Sequence, residues 1–151
     1  MGTIRAARHA DLTGVQACVS AAFGPYVAAI GKSPAPMLAD YGALIAGGRV
    51  HLVEAEQAVA GLIVLELRPD HLFVDILAVR PELQRHGIGR ALMAFAEDTA
   101  RQRLLTEVSL YTHVLMAQAL AFYRRLGYGE TARLVEDGYA RVYLSKTLSA
   151  G

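Results

Sequence analysis

The residues that bear most on chemistry form one run, Val79-Arg80-Pro81-Glu82-Leu83-Gln84-Arg85-His86-Gly87-Ile88-Gly89-Arg90, where an apolar segment ends and a helical period begins. Glycine lets the backbone approach a ligand closely, and the first turn of a helix leaves N–H groups without intrahelical acceptors. The helix dipole adds about half a positive charge at the same end. The run therefore reads as an anion-binding turn, with Arg85, His86 and Arg90 as further donors; an ordinary strand-to-helix turn is the alternative. It is not a Walker loop, which ends in Gly-Lys-Ser/Thr, nor a dinucleotide fingerprint, which needs a small residue where Leu92 stands. The second chemical feature is Asp75, the one charged residue in Leu72-Phe73-Val74-Asp75-Ile76-Leu77-Ala78-Val79. Alternation puts it on a face with Phe73, Leu77 and Val79, where a carboxylate needs either a salt-bridge partner or a function.

These residues have to be positioned by the elements around them. Ile4-Arg5-Ala6-Ala7 reads as a short strand, followed by Asp11 as N-cap of a helix carrying Leu12, Val15, Cys18, Val19 and Ala22. A second helix is expected over 37–46, ended by Gly47-Gly48. Two strands, 50–55 and 59–67, form an antiparallel hairpin around Glu56-Gln57-Ala58, and 72–79 is a strand buried on both faces. From Gly89 the period is helical, with Ile88, Leu92, Phe95, Ala96 and Thr99 on one stripe and Glu97 off it. A strand at 107–111, a helix at 117–126 closed by Gly127, and strands at 129–134 and 140–144 complete the chain. The expected fold is α/β (α+β), with a mixed, mostly antiparallel sheet of six to seven strands flanked by about four helices, in a single domain over 1–151.

Composition narrows the function classes. Fifteen basic against fourteen acidic residues leave a formal charge of +1, too little field for a nucleic-acid or anionic-membrane surface, so any anion site is local. The N-terminal residues lack an apolar leader core, and no uninterrupted apolar run reaches the ~20 residues of a membrane span, so a cytoplasmic protein is expected. The lone Cys18 sits among Val15, Val19 and Phe23 and reads as core packing rather than a reactive thiol.

Gln84-Arg85-His86-Gly87-Ile88-Gly89 resembles the Gln/Arg-x-x-Gly-x-Gly/Ala signature of the GNAT acetyltransferase superfamily, in the strand–loop–helix setting that family uses. Ala119-Leu120-Ala121-Phe122-Tyr123-Arg124-Arg125-Leu126-Gly127-Tyr128 is similar to the family's Ala-x-x-Phe-Tyr-x-x-x-Gly-Phe/Tyr element. The resemblance is strongest from Leu72 to Tyr128. It implies an N-acetyltransferase using acetyl-CoA as co-substrate, without a metal, on a primary amine of a small molecule, amino acid or peptide. The amides of Gln84, Arg85, His86, Gly87, Ile88, Gly89 and Arg90 would hold the coenzyme A pyrophosphate, and Leu77, Ala78 and Val79 the pantetheine arm, with Phe122 beside the cofactor.

Direct attack by an amine on a thioester needs a neutral amine, a polarised carbonyl and a proton for the departing thiolate. The resemblance implies Tyr123 as that acid, against the alternative of an amphipathic core tyrosine, and Asp75 as base or amine anchor, with His71 assisting. The family often places an asparagine seven residues before the tyrosine, where this chain has Met116; Thr112, His113 and Gln118 are the polar substitutes nearby. Tyr26, Lys32, Met37 and Tyr41 are candidates for the acceptor wall. A homodimer through the C-terminal strands is expected, and a non-catalytic acyl-CoA-binding module on the same fold is the competing function.

Overall fold

Alternating strand runs broken by left-handed turns build most of the architecture. The computed structural model describes residues 2–149; Met1, Ala150 and Gly151 of the expected domain lie outside the described residues. The strands are β1 (Arg5–Ala6), β2 (Val50–Ala55), β3 (Ala58–Leu67), β4 (Leu72–Val79), β5 (Glu107–His113), β6 (Gly129–Glu136) and β7 (Tyr139–Thr147). The helices are α1 (Leu12–Phe23), the single turn α2 (Val27–Ile30), α3 (Tyr41–Ala46), α4 (Ile88–Gln102) and α5 (Ala117–Arg125). The sheet order is β1-β2-β3-β4-β5-β7-β6, parallel at β4/β5 and antiparallel at β1/β2, β2/β3, β5/β7 and β6/β7. This is the mixed, mostly antiparallel α/β arrangement that the sequence predicts. By internal packing the chain forms two compact units from alternating stretches, Met1–Leu65 with Ile76–Phe95 and Glu66–Asp75 with Ala96–Gly151.

In the first unit, β2 and β3 turn on Glu56 and Gln57, both left-handed (φ 53° and 66°), the torsions of a two-residue type I′ hairpin. The core joins Leu52, Leu62, Ile63 and Val64 of these strands to Val15, Cys18 and Val19 of α1. Gly14 brings α1 close to β3: a Cβ there would stand 3.0 Å from Val59 Cγ2. Cys18 is fully buried, and burial pushes its thiol up to about 11, which suits packing and not nucleophilic chemistry. The helical run His9–Ile30 is long and apolar enough by composition to cross a membrane; Gly24 and Pro25 divide it, and α1 turns its apolar stripe into this core.

Two expected helix starts are corrected in detail. Asp11 stands at the N-cap position of α1 as expected but makes no side-chain capping bond to it: its carboxylate accepts the Arg8 N–H at 2.7 Å and two Arg5 N–H bonds at 2.9 Å, closing a 3₁₀ turn, His9–Asp11. The helix predicted at 37–46 is two pieces, a 3₁₀ turn Ala35–Leu38 and α3, because the Asp40 side chain accepts the Ala43 N–H and starts a new helix.

The Arg5 hydrogen bonds and the Arg8 backbone N–H bring the Asp11 pKa down to about 2, despite partial burial that opposes this. Asp11 therefore contributes stability that is complete above about pH 4 and lost as pH falls toward 2, with an upper bound of about 2 kcal/mol before solvent screening at the partly exposed Arg5. Denaturant titrations of wild type and Asp11→Asn at pH 7 and pH 2.5 check this. The gap between the two proteins should narrow markedly at the lower pH, and a constant gap would show that the charged carboxylate contributes nothing.

In the second unit, β5, β6 and β7 form an antiparallel group whose one face is buried by Val108, Leu110, Val142 and Leu144. Asp137 and Gly138, left-handed at φ 52° and 79°, make the β6/β7 turn, and Gly127 at φ 97° follows α5 as its left-handed stop. The stripe predicted for α4 is rotated: Leu92, Met93, Ala96, Glu97 and Ala100 are buried, while Phe95 and Thr99 are half-buried.

Candidate active site

The glycine turn belongs to the first unit. Arg80 anchors its start, the backbone N–H donating to Ala60 O at 3.0 Å and Nε to Val59 O at 2.7 Å. A 3₁₀ turn, Pro81–Leu83, follows, and Gln84 reaches back to Val79 O at 3.3 Å. Arg85 and Gly87 are both left-handed (φ 70° and 85°), a kind of backbone torsion from which anion nests are built. The first bond of α4 runs from the Ala91 N–H to Gly87 O, leaving the amides of Ile88, Gly89 and Arg90 ahead of the helical ladder. Ile88 is buried and pins the helix start, whereas Arg85, His86 and Arg90 are exposed. A Cβ built on Gly87 meets nothing within 4 Å, while one on Gly61 would lie 2.8 Å from Ile88 Cγ2 and 3.2 Å from Ala78 O. Gly61 is what lets the helix start sit close to β3. The turn is thus an open cradle of amides, which fits the pyrophosphate of coenzyme A.

The strand β4 is not buried on both faces as predicted. Leu72, Val74, Ile76 and Ala78 are buried, but Asp75, Leu77 and Val79 are half-buried on the other face. Its parallel ladder with β5 covers Leu72↔Val108 to Val74↔Leu110 only, so Leu77, Ala78 and Val79 lie beyond it. Within the second unit, Phe73 and Asp75 of β4 share a face with Tyr111 of β5 and Tyr139, Arg141 and Tyr143 of β7. The Tyr111 phenol is pushed up by burial, an effect opposed by Arg141 and reinforced by Asp75, Glu136 and Asp137. His71 lies at the start of this strand with Nδ1 2.7 Å from Asp70.

Tyr123 projects from α5 and is buried, edge-on to Phe122 at 5.3 Å and to Tyr128 at 6.2 Å. Burial pushes its phenol pKa up, so the proton stays on oxygen. Among the described residues the hydroxyl makes no hydrogen bond, leaving its proton for a ligand atom. Met116 stands at the N-cap of α5, with its sulfur accepting from Thr112 Oγ1 at 3.7 Å. Thr112 is buried in that contact, His113 accepts the Leu115 N–H at 3.1 Å, and Gln118 is exposed. No group of three or more His, Cys, Asp or Glu converges among the described residues.

A family model described as the acetyltransferase (GNAT) family matches residues 16–128, which include the turn and the tyrosine helix. The chain belongs to that family. It is 35% identical over 79 residues to mycothiol acetyltransferase of Clavibacter michiganensis subsp. michiganensis, covering 52% of this chain and 26% of that protein. It is 31% identical over 86 residues to probable N-acetyltransferase 14 of Xenopus tropicalis, covering 56% of this chain and 42% of that protein. The match thus spans less than half the length of either relative. Among solved structures, the PaiA N-acetyltransferase from Thermoplasma acidophilum, in complex with coenzyme A, shares the fold with a TM-score of 0.82 at 18% identity, over 97% of this chain and 99% of that one.

Sequence reasoning missed two groups of this GNAT chain. Glu97, expected on the polar side of α4, is buried, and its carboxylate accepts the Tyr128 hydroxyl at 2.9 Å and Lys146 Nζ at 3.1 and 3.2 Å. The pairing offsets the cost of burying that charge and fixes Tyr128 beside Tyr123. The other group is Tyr111, Arg141 and Glu136, for which the only trace was the alternation Tyr139, Arg141, Tyr143. Of the acceptor-wall candidates, Met37 and Tyr41 line a depression of about 240 Å³ in the first unit with Gln16, Val19, Ser20 and Ala39. Tyr26 is half-buried and Lys32 exposed.

Proposed function

We propose that this GNAT chain transfers the acetyl group of acetyl-CoA to a primary amine of a small molecule, amino acid or peptide by direct attack. The observation that carries this reading is Tyr123, a buried tyrosine whose hydroxyl makes no hydrogen bond among the described residues. A module that only binds acyl-CoA needs the glycine turn but has no use for an acid of this kind. The amides around Arg85 and Gly87 hold the pyrophosphate, and the backbone of Leu77, Ala78 and Val79, beyond the parallel ladder, pairs with the pantetheine arm. The amine nitrogen bonds to the thioester carbon, the carbon–sulfur bond breaks, and the thiolate takes the Tyr123 proton while the nitrogen loses one to Asp75 or water.

A panel of amines with acetyl-CoA, read by thiol release and product mass together, tests the assignment. Release with an acetylated product is expected for at least one class of amine; coenzyme A binding without any product supports the binding module instead. Within that assay Asp75→Asn should lower turnover about tenfold or more while leaving coenzyme A affinity intact. An undiminished rate would make Asp75 structural.

A further inference from the structure

The open face of the second unit carries a guanidinium held on an aromatic platform. Alternation along β7 puts Tyr139, Arg141 and Tyr143 on this face, with Tyr143 opposite Tyr111 and Arg141 opposite His113. The Arg141 guanidinium carbon lies 4.3 Å from the centre of the Tyr111 ring and 5.7 Å from that of Tyr139. Tyr111 is itself fixed, stacked on Phe73 at 5.8 Å and against Tyr143 at 5.5 Å.

A guanidinium lying on a ring can donate only around its edge, because all five of its N–H groups lie in its plane. That edge is only partly used here, by Glu136 and by the Tyr143 hydroxyl. Nη1 donates to Glu136 Oε1 at 3.4 Å, long for a charge-assisted bond, and the same oxygen also accepts from the Tyr143 hydroxyl. Nε is buried and has no acceptor among the described residues. A purely structural arginine, enclosed to this degree, normally fills its fork.

The surrounding charge says what would complete it. Asp75 and Arg141 both act on the Tyr111 phenol, one negative and one positive, and Glu136 and Asp137 add negative charge. A simple anion is repelled by three carboxylates, whereas a molecule with an ammonium as well as a carboxylate meets both signs. We propose that Arg141 binds the carboxylate of the acceptor through Nη2, so that the amine acetylated belongs to an α-amino acid. The inference rests on the acetyl-transfer reading above and names its substrate class. Arg141 is then the residue that selects the acceptor, with Tyr111 holding the guanidinium plane.

The test pairs α-amino acids with their α-carboxamides, which keep the amine and side chain but lose the carboxylate. Acetyl transfer is measured for wild type, Arg141→Gln and Arg141→Lys, with melting temperature as the folding control. Wild type should favour the acid over its amide by about 10- to 100-fold in kcat/KM, the worth of a charged hydrogen-bonded pair. In Arg141→Gln that preference should vanish through KM, the acid losing far more of its kcat/KM than the amide. Arg141→Lys, which keeps charge but loses the fork, should retain part of it. A wild type indifferent to the carboxylate, or an Arg141→Gln variant that loses acid and amide alike, overturns the proposal. Ligand-observed NMR of the same pairs with coenzyme A present separates the two readings. Acid-selective binding lost in Arg141→Gln, without turnover, upholds the site and removes acetyl transfer; turnover with equal binding of acid and amide does the reverse; neither binding nor turnover removes both.

Discussion

Tyr123→Phe should slow acetyl transfer by about ten- to ten-thousand-fold while leaving the fold and the affinity for coenzyme A in place. The substitution removes one oxygen that forms no hydrogen bond among the described residues, so no protein group is left unpaired. The ring remains packed against Phe122 and Tyr128. The wild-type enzyme should lose no activity through Tyr123 below about pH 10, because burial raises its pKa and the protonated form persists. The loss in the variant should fall on kcat without a matching rise in KM, the mark of an interaction made in the transition state. Phe122, half-buried on the same helix, is the control: truncating it should act through stability. A wild-type rate in Tyr123→Phe, with chemistry limiting, would transfer the acid's role to water.

Gly87→Glu should weaken coenzyme A binding about 100-fold or more, the second large effect. The added Cβ meets no protein atom, so the fold is not blocked by sterics. What changes is the cradle, which gains a side chain and a negative charge where amides are arranged for an anion. The left-handed torsion adds strain on the order of 1 kcal/mol, which a thermal melt would register separately. Gly87→Ala carries comparable strain without charge, so it should lose much less affinity. Equal coenzyme A titrations for folded Gly87→Glu and wild type would place the pyrophosphate elsewhere.

The local signals explain what was readable. The β2/β3 hairpin was legible because its apolar runs are long, although Glu56 and Gln57 adopt left-handed torsions without any glycine to announce them. The turn at residues 84–90 and the helix that carries Tyr123 were legible as structure because each is announced by a short contiguous motif with a glycine at its boundary. Glu97 was misplaced because helical periodicity cannot foresee that Lys146, 49 residues away, would neutralise it. The cluster of Arg141, Tyr111 and Glu136 was hidden for the same reason: three strands must pair in a given register before it exists. The bonding of Asp11 and the helix start at Asp40 were illegible for a more local reason, each offering a side-chain acceptor that several nearby backbone donors could claim, with no period to choose between them.

Two glycines near the turn have opposite mutability. Gly87 is held by torsion and has room beside it, so a library at that position should keep asparagine or aspartate, which enter left-handed conformations most readily among the other residues. Gly61 is held by distance: a Cβ there would stand 2.8 Å from Ile88 Cγ2 and 3.2 Å from Ala78 O and Leu92 Cδ1, so a replacement on its own forces these neighbours to shift. An engineer wishing to retune the cradle without touching its ligand would therefore vary Ile88 and Gly61 together, trading a smaller side chain on the helix for a larger one on the strand.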